Sequence, residues 1–280
     1  MFEIKSHMNI SFFWKFLIFY SLANCATSTT KGSGCVVEFQ SDAYKNKSFY
    51  LASHYGKYQT LLDTVAADSA GKLIFKKQKK YVSGIYMLLN DSKEIEFEFL
   101  MDDAQQFKIA PNTKNPSKTK IYNSPLNIDF KDFNSFLKSK QSQIQSLQAS
   151  IASIDTQKER FYYQEKIKTV QKEIENYKQN YILSHTNTLA LLFKLTQPID
   201  DFSSLTKNQK LATKKDSILF LKTNYFKDID FKDSRLLRNP FLEPKLSKYF
   251  ELFVPNTVDA ITDEINEILD QANPPESEMF

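Results

Sequence analysis

Two closely spaced arginines and the aspartates before them are the residues of this chain best suited to chemistry. The chain has only three arginines, and two of them, Arg235 and Arg238, stand in the sequence RLLRNPF. Arginine carries a planar, permanently charged fork that binds carboxylates through paired hydrogen bonds. The pair could bind a carboxylate ligand or a partner domain. Alternatively, it forms an internal cluster with Asp230 and Asp233 that fixes this loop against helices, and we favour this second interpretation.

The cysteines limit the redox chemistry open to this chain. Only Cys25 and Cys35 are present, so no C-x-x-C pair exists. Disulfide exchange needs an accessible thiolate and usually a resolving thiol nearby. We place both cysteines before the first strand, outside any folded element, where a Cys25–Cys35 disulfide is the alternative to free thiols. We therefore expect no catalytic residue, and expect Cys35→Ser to leave folding unchanged.

Other candidate site residues are better explained as structural. His7, His54 and His185 have no second ligand at metal-binding spacing, so we interpret them as structural histidines with satisfied hydrogen bonds. Asp102-Asp103 could serve as a carboxylate pair for acid–base work. Because the pair follows a strand, we interpret it as a turn or a cap. We expect no cofactor and no metal.

The charge balance argues against a nucleic-acid partner. The net charge is +4, from 37 basic and 33 acidic residues, and the five glycines form no phosphate-binding loop. The basic run Lys76–Lys80 has only Tyr81 beside it, whereas single-stranded nucleic acid needs several stacking aromatics. We interpret this run as a solvated hairpin connection.

The N-terminus indicates export. Residues 9–24, NISFFWKFLIFYSLAN, form an apolar run shorter than the roughly 20 residues of a membrane-spanning helix, as in a secretory signal. An N-terminal core helix is the alternative. Ser21–Cys25 resembles a lipoprotein box, so we expect residues 1–25 to be a leader and Cys25 to be lipidated. Simple cleavage near Ala26 or Ser28 is the other possibility. Two or more acyl chains hold a protein stably on a membrane, which predicts a cell-envelope location.

Seven short runs rich in β-branched and aromatic residues indicate strands. They are Val36–Phe39, Ser48–His54, Thr60–Val65, Lys72–Lys76, Gly84–Leu89, Ile95–Leu100 and Gln106–Ile109. In residues 94–99, EIEFEF, the strict alternation predicts one core face and one solvent face. Asp68–Gly71 is typical of a turn, and residues 112–117 of a loop. The pattern predicts an antiparallel β-sandwich over residues 35–124.

From about Asp129 the apolar period becomes helical. A break near Asp155 and the capping box Thr156–Glu159 predict two helices, packed antiparallel in one domain or joined to a coiled-coil partner. Further helices are predicted at Leu189–Leu195, at Asp216–Phe226, after Pro244, and after Thr257 with Val258, Ile261, Ile265, Ile268 and Leu269 on one face. The predicted fold class is α+β: a β-sandwich followed by an all-helical domain over residues 128–273.

The chain resembles a known family along most of its length after the leader. The helical part contains an aromatic pair at Tyr225-Phe226, then FKDIDF at 226–231 and DSRLLRNPFL at 233–242. The β part contributes 55–58, 63–65, 68–75, 83–86 and 97–100. These segments are similar to the β-sandwich and helical modules that precede the thioredoxin domain in Bacteroidota-type extracytoplasmic thiol-disulfide oxidoreductases. Because the sequence contains no C-x-x-C, we expect the thioredoxin domain of this family to be missing from it.

The resemblance implies a non-catalytic accessory role in an envelope thiol-disulfide oxidoreductase, in which this chain positions a thioredoxin domain or its substrate. Residues 274–280 would then correspond to a truncated lead-in to the absent thioredoxin domain. The alternative is a standalone envelope lipoprotein that binds a protein or a glycan through its β-sandwich. A docking face at the C-terminal end would favour the first function, and an exposed aromatic platform on the sandwich the second.

Overall fold

A computed structural model describes residues 34–112, 114–198 and 214–272. The first part of this range consists of strands. The strands are β1 (Cys35–Gln40), β2 (Ser48–Tyr55), β3 (Tyr58–Ala66), β4 (Lys72–Lys77), β5 (Gly84–Leu89), β6 (Ile95–Met101), β7 (Gln106–Ala110) and β8 (Lys120–Tyr122). Within the described residues they form two four-stranded sheets, in the orders β4-β1-β7-β8 and β3-β2-β5-β6.

The two sheets pack face to face over one aromatic core. Phe39 on β1 makes edge-to-face contacts with Phe75 of its own sheet and with Phe99 of the facing sheet. Side chains from both sheets are fully buried in this cluster, among them Val37, Leu51, Leu88 and Ile109. Burial of this kind is the main favourable contribution to folding. The architecture is therefore a β-sandwich.

The predicted strands all occur, with bounds that differ by at most two residues. One strand was missed, β8, which pairs antiparallel with β7. One pairing also departs from the antiparallel pattern, because β1 and β7 run parallel. The predicted fold class, α+β with a mainly antiparallel N-terminal sandwich, is confirmed.

The predicted turn at Asp68–Gly71 joins β3 to β4. The Asp68 carboxylate accepts hydrogen bonds from the backbone N–H groups of Ala70 and Lys72, each at 2.9 Å. Gly71 has φ +77°, and an added Cβ there would lie 2.0 Å from the Ser41 carbonyl oxygen. Glycine is required at this position because other residues would meet both a strained φ and a clash.

Helices follow the sandwich. They are α1 (Pro125–Ala152), α2 (Gln157–Ser184), α3 (Thr188–Leu195), α4 (Lys214–Asn224), α5 (Leu242–Phe253) and α6 (Val258–Ala272). The predicted capping box starts α2, since the Thr156 hydroxyl accepts from the Glu159 backbone N–H. Helices α1 and α2 form an antiparallel hairpin in which Phe133 meets Tyr177 and Lys140 pairs with Glu173. The prediction of internal antiparallel packing is thereby confirmed.

The helices cover the outer face of one sheet. Ile85 of β5 and Leu100 of β6 point away from the sandwich core and pack with Phe133, Leu189 and Phe193. Helix α3 is buried almost throughout, as predicted from its apolar sequence. Its other side joins a further cluster that contains Ile229, Leu236 and Leu242. The segment with the two arginines therefore lies against the helices and the sandwich together.

The last strand ends at Tyr122 and α1 begins at Pro125. The predicted leader over residues 1–25 and the predicted lead-in over 274–280 lie outside the described residues.

Candidate functional site

The arginine segment forms a short 3-10 turn, Ser234–Arg238, that Asp233 caps. The Asp233 carboxylate accepts from the Arg235 backbone N–H at 3.0 Å and from the Arg235 side chain, at 2.9 Å from Nε and 2.7 Å from Nη2. Capping and side-chain pairing thus use the same carboxylate. This pairing raises the pKa of Arg235 further, with burial opposing it. Arg235 and Asp233 are brought together as the sequence suggested.

Arg235 also connects the turn to two other parts of the molecule. Its Nη1 donates to the Thr186 carbonyl at 3.0 Å and lies 4.0 Å from the Asp102 carboxylate. Asp102 in turn accepts from the Thr188 backbone N–H at 2.9 Å and from Ser83 Oγ at 3.1 Å. Asp102 therefore binds the first turn of α3, whose N-cap is Asn187, a contact with a distant segment that the sequence interpretation did not include. All three nitrogens of the Arg235 guanidinium already have protein acceptors, which supports a structural role.

Arg238 has a different environment. Its guanidinium carbon lies 5.3 Å from the centre of the Tyr55 ring. Its backbone crosses β5 so closely that a Cβ at Gly84 would lie 2.8 Å from the Arg238 carbonyl oxygen and 2.4 Å from its Cβ. The neighbouring Leu237 carbonyl accepts from Gly56 N–H at 2.9 Å. The turn thus docks directly on the β2–β3 hairpin.

Asp230 does not join the arginines. Its carboxylate accepts from the Lys232 backbone N–H at 3.0 Å, and no ion pair of Asp230 occurs among the described residues. The expected cluster of two aspartates and two arginines therefore reduces to Asp233 and Arg235, because Asp230 is used to shape the turn before them.

His54 was expected to have satisfied hydrogen bonds, and this expectation was wrong. It is buried on β2, and its Nδ1 atom has no hydrogen-bond partner. Burial lowers the pKa of His54, and a backbone hydrogen bond with Gly56 opposes this shift. Gly56 also binds the arginine turn, so this histidine lies beside the contact between the sandwich and the helical part.

His185 and the basic run each lie beside aromatic or acidic neighbours. His185 stacks on Tyr181 with ring centres 4.0 Å apart. No group of His, Cys, Asp and Glu suited to a metal ion occurs within the described ranges. In the basic run, Lys77 lies over Tyr81 and Lys80 is 3.7 Å from Asp103. His7 and the proposed lipidation site Cys25 lie outside the described residues.

The placement of Cys35 before the first strand was wrong. Cys35 is the first residue of β1 and is fully buried in the sandwich core. Burial raises the pKa of its thiol to about 11, while Lys77 acts in the opposite direction. A thiol in this position is a packing residue, so the expectation that Cys35→Ser leaves folding unchanged is corrected below.

An apolar stripe on α6 is the feature that sequence reasoning only partly anticipated. The predicted apolar face exists, but Val258 is 81% exposed, Leu269 57% and Ile265 42%. Glu264 is buried, at 7% exposed, and Ile261 and Ile268 of the predicted face are half-buried. The sequence shows which residues share a face of this helix, whereas only the fold shows that three of them, Val258, Ile265 and Leu269, form an exposed apolar stripe.

Glu264 fixes the rotation of α6. One carboxylate oxygen lies 2.5 Å from Lys222 Nζ of α4, and the other accepts from the Tyr249 hydroxyl of α5. Burial and the Glu264 carboxylate raise the pKa of Tyr249 above its usual range. A buried carboxylate with a cation and a hydroxyl is costly to separate from them. The stripe is therefore held at the surface.

On the sandwich, Tyr58 is 66% exposed and its cross-strand partner Tyr55 is 48% exposed, with the Arg238 guanidinium over the Tyr55 ring. Tyr122 lies on the other sheet.

Among the described residues, no helix is both long enough and apolar enough to cross a membrane. Compared with protein-family models, with curated proteins and with solved structures, the chain matches none of them.

Proposed function

We propose that this chain is a non-catalytic scaffold that holds a partner protein through helix α6. Following the family resemblance, the partner is a thioredoxin-fold domain of a cell-envelope thiol-disulfide oxidoreductase. The scaffold positions that domain or its substrate. Lipidation at Cys25 would place the complex at the envelope membrane.

The exposed stripe on α6 carries this proposal. Val258, Ile265 and Leu269 leave much of their apolar surface in water. Burying such surface is worth about 25 cal/mol per Å². Contiguous exposed apolar patches on soluble proteins often mark interaction sites. The stripe lies on the last described helix, and a docking face at this end favours the accessory role over ligand binding on the sandwich.

The contacts of the arginine turn support a scaffold role in a second way. Arg235 joins Asp233, Thr186 and Asp102, and Lys57 on the β2–β3 hairpin lies 3.0 Å from Glu243 on α5. These bonds connect the sandwich to the helical part at several points. A rigid connection holds a docked partner at a fixed distance and orientation from the sandwich.

The buried thiol supports a non-catalytic role for the described part of the chain. A nucleophilic thiol needs exposure and a lowered pKa. Cys35 has no exposed surface, and its pKa is raised. The chemistry would reside in the partner.

Binding to a thioredoxin-fold domain tests the proposal. The chain is titrated calorimetrically with a purified thioredoxin-fold domain from an envelope oxidoreductase of this class. We expect saturable binding that Leu269→Ser weakens at least about tenfold, equivalent to about 1.4 kcal/mol. Leu183→Ser is the matched control, because Leu183 on α2 is 83% exposed. Absence of binding, or equal weakening by both substitutions, would show that the proposal is wrong.

A further inference from the structure

We infer that the partner contacts α6 with an amphipathic α-helix that is rich in lysine or arginine. This inference rests on the proposed function and names the element and the charge of the partner's contact surface. It follows from the spacing of the stripe, from its fixed orientation and from the charge of α6.

The spacing of the apolar residues fits a helix. The exposed apolar residues Val258, Ile265 and Leu269 follow one another at steps of seven and four residues. This is the heptad pattern of positions that interlock with a neighbouring helix. At 1.5 Å per residue, the stripe from Val258 to Leu269 is about 17 Å long. A stripe of this length matches the apolar side of a partner helix of about one and a half heptads.

The orientation of α6 leaves its apolar stripe available to a partner. Glu264 holds the helix to Lys222 and Tyr249. Ile261 and Ile268, on the edge of the stripe nearer to Glu264, are half-buried, whereas Val258, Ile265 and Leu269 are exposed. Rotation of α6 to bury the stripe would break the contacts of Glu264. The partner must therefore come to the stripe.

The charge of α6 selects among partner helices. It carries five carboxylates, those of Asp259, Asp263, Glu264, Glu267 and Asp270, and no lysine or arginine. The four that are exposed lie within about one helix diameter, roughly 10 Å, of the stripe. That distance is comparable to the Debye length of about 8 Å at physiological ionic strength. A lysine-rich helix is attracted, and a second copy of α6 is repelled.

Three synthetic peptides test the inference with the full chain. The first has 21 residues with Leu at heptad positions a and d and Lys at the charged positions. The second replaces every Lys by Glu. The third keeps the composition of the first but alternates Leu and Lys, so that it has the period of a strand. Binding of each labelled peptide is followed by fluorescence anisotropy at 50 and 300 mM salt.

We expect only the heptad Lys peptide to bind, with an affinity that falls as salt rises. Leu269→Ser should weaken this binding at least about tenfold, a loss that corresponds to removing one well-buried anchor. Leu183→Ser should leave the binding unchanged. Replacing Asp259, Asp263, Glu267 and Asp270 by the corresponding amides should weaken the binding and remove most of its salt dependence, while Glu264 keeps its structural contacts.

The inference would be overturned if the heptad Lys peptide did not bind, or if the Glu or the alternating peptide bound equally well. It would also be overturned if Leu269→Ser did not weaken the binding. A chain dimer, detected by sedimentation and lost in Leu269→Ser, would also overturn it by making a second copy the occupant. The proposed function is judged separately with the thioredoxin-fold domain. If that domain binds through Leu269 but is insensitive to salt and to the amide substitutions, only the present inference fails. If the peptide binds as expected and the domain does not, only the proposed function fails.

Discussion

The side-chain amide of Asn127 hydrogen-bonds both backbone groups of Leu100. Its Oδ1 accepts from the Leu100 N–H at 2.7 Å, and its Nδ2 donates to the Leu100 carbonyl at 2.9 Å. β6 is an edge strand, and Asn127 lies in the first turn of α1. The amide thus takes the place of a neighbouring strand at this position and attaches α1 to the sandwich. Edge strands need such protection, because their free backbone groups otherwise pair with other chains.

Replacing Asn127 by leucine should therefore destabilise the protein. The change leaves a buried N–H and a buried carbonyl without partners, at about 1–3 kcal/mol each. We expect a loss of about 2–4 kcal/mol in the free energy of unfolding, measured by urea denaturation. Asn134→Leu, the same substitution at an exposed position of α1, should change it by less than about 0.5 kcal/mol. Equal effects of the two changes would contradict the role of Asn127 at the sheet edge.

The two arginines of the turn should contribute unequally to stability. Arg235→Ala removes charged hydrogen bonds to Asp233 and Thr186 from a half-buried site, and we expect a loss of about 2 kcal/mol. Arg238 lies over Tyr55 without an ion pair among the described residues, so Arg238→Ala should cost about 0.5–1 kcal/mol. Thermal unfolding monitored by circular dichroism would give the order. A larger loss for Arg238→Ala would contradict this assignment.

His54 should make the stability depend on pH. Burial lowers its pKa below the value of 6.5 that it has in the unfolded chain. Between those two pKa values the unfolded chain binds more protons, so the free energy of unfolding falls as the pH falls. Above pH 6.5 this destabilisation is absent, and below the folded pKa it is complete. We expect urea denaturation at pH 7.5, 6.5 and 5.5 to show this decline, and His54→Phe to reduce it. An identical pH dependence in both proteins would contradict the prediction.

Local patterns in the sequence were sufficient to predict most of the strands and helices. The alternation of β6, the capping box at Thr156 and the apolar run of α3 each depend on neighbouring residues. β8 was missed because Lys120–Tyr122 is too short to show a period. The parallel pairing of β1 with β7 joins segments about 70 residues apart, and no local signal encodes such contacts.

The candidate site was less predictable because it depends on which surface of each helix or turn packs against which other element. The pairing of Asp233 with Arg235 is local and was anticipated. The contacts of Arg235 with Asp102 and Thr186 need three distant segments to meet. In α6 the spacing predicted which apolar residues share one face of the helix, but not how much of that face is buried. The buried Glu264 carboxylate binds partners on α4 and α5, and Val258, Ile265 and Leu269 are left exposed.

Cys35 should be inert in the folded protein and important for its stability. The thiol is fully buried, and its pKa is raised to about 11. An aromatic disulfide reagent at pH 8 should react with Cys35 only when the chain unfolds. Cys35→Ser places a hydroxyl in the apolar core and should cost about 1–3 kcal/mol. Cys35→Ala, which buries no polar group, should cost less. Rapid labelling of the native thiol would contradict this placement.

The same burial should prevent disulfide exchange through Cys35. Exchange requires a thiolate that can reach the target disulfide. At pH 7 the Cys35 thiol is protonated and enclosed between two sheets. We therefore expect the chain to leave the rate of insulin reduction by dithiothreitol at its uncatalysed value. A control with an active thioredoxin-fold domain establishes the sensitivity of the assay. If the chain accelerates the reduction, and Cys35→Ser abolishes that acceleration while the variant remains folded, the non-catalytic function proposed for this chain is wrong.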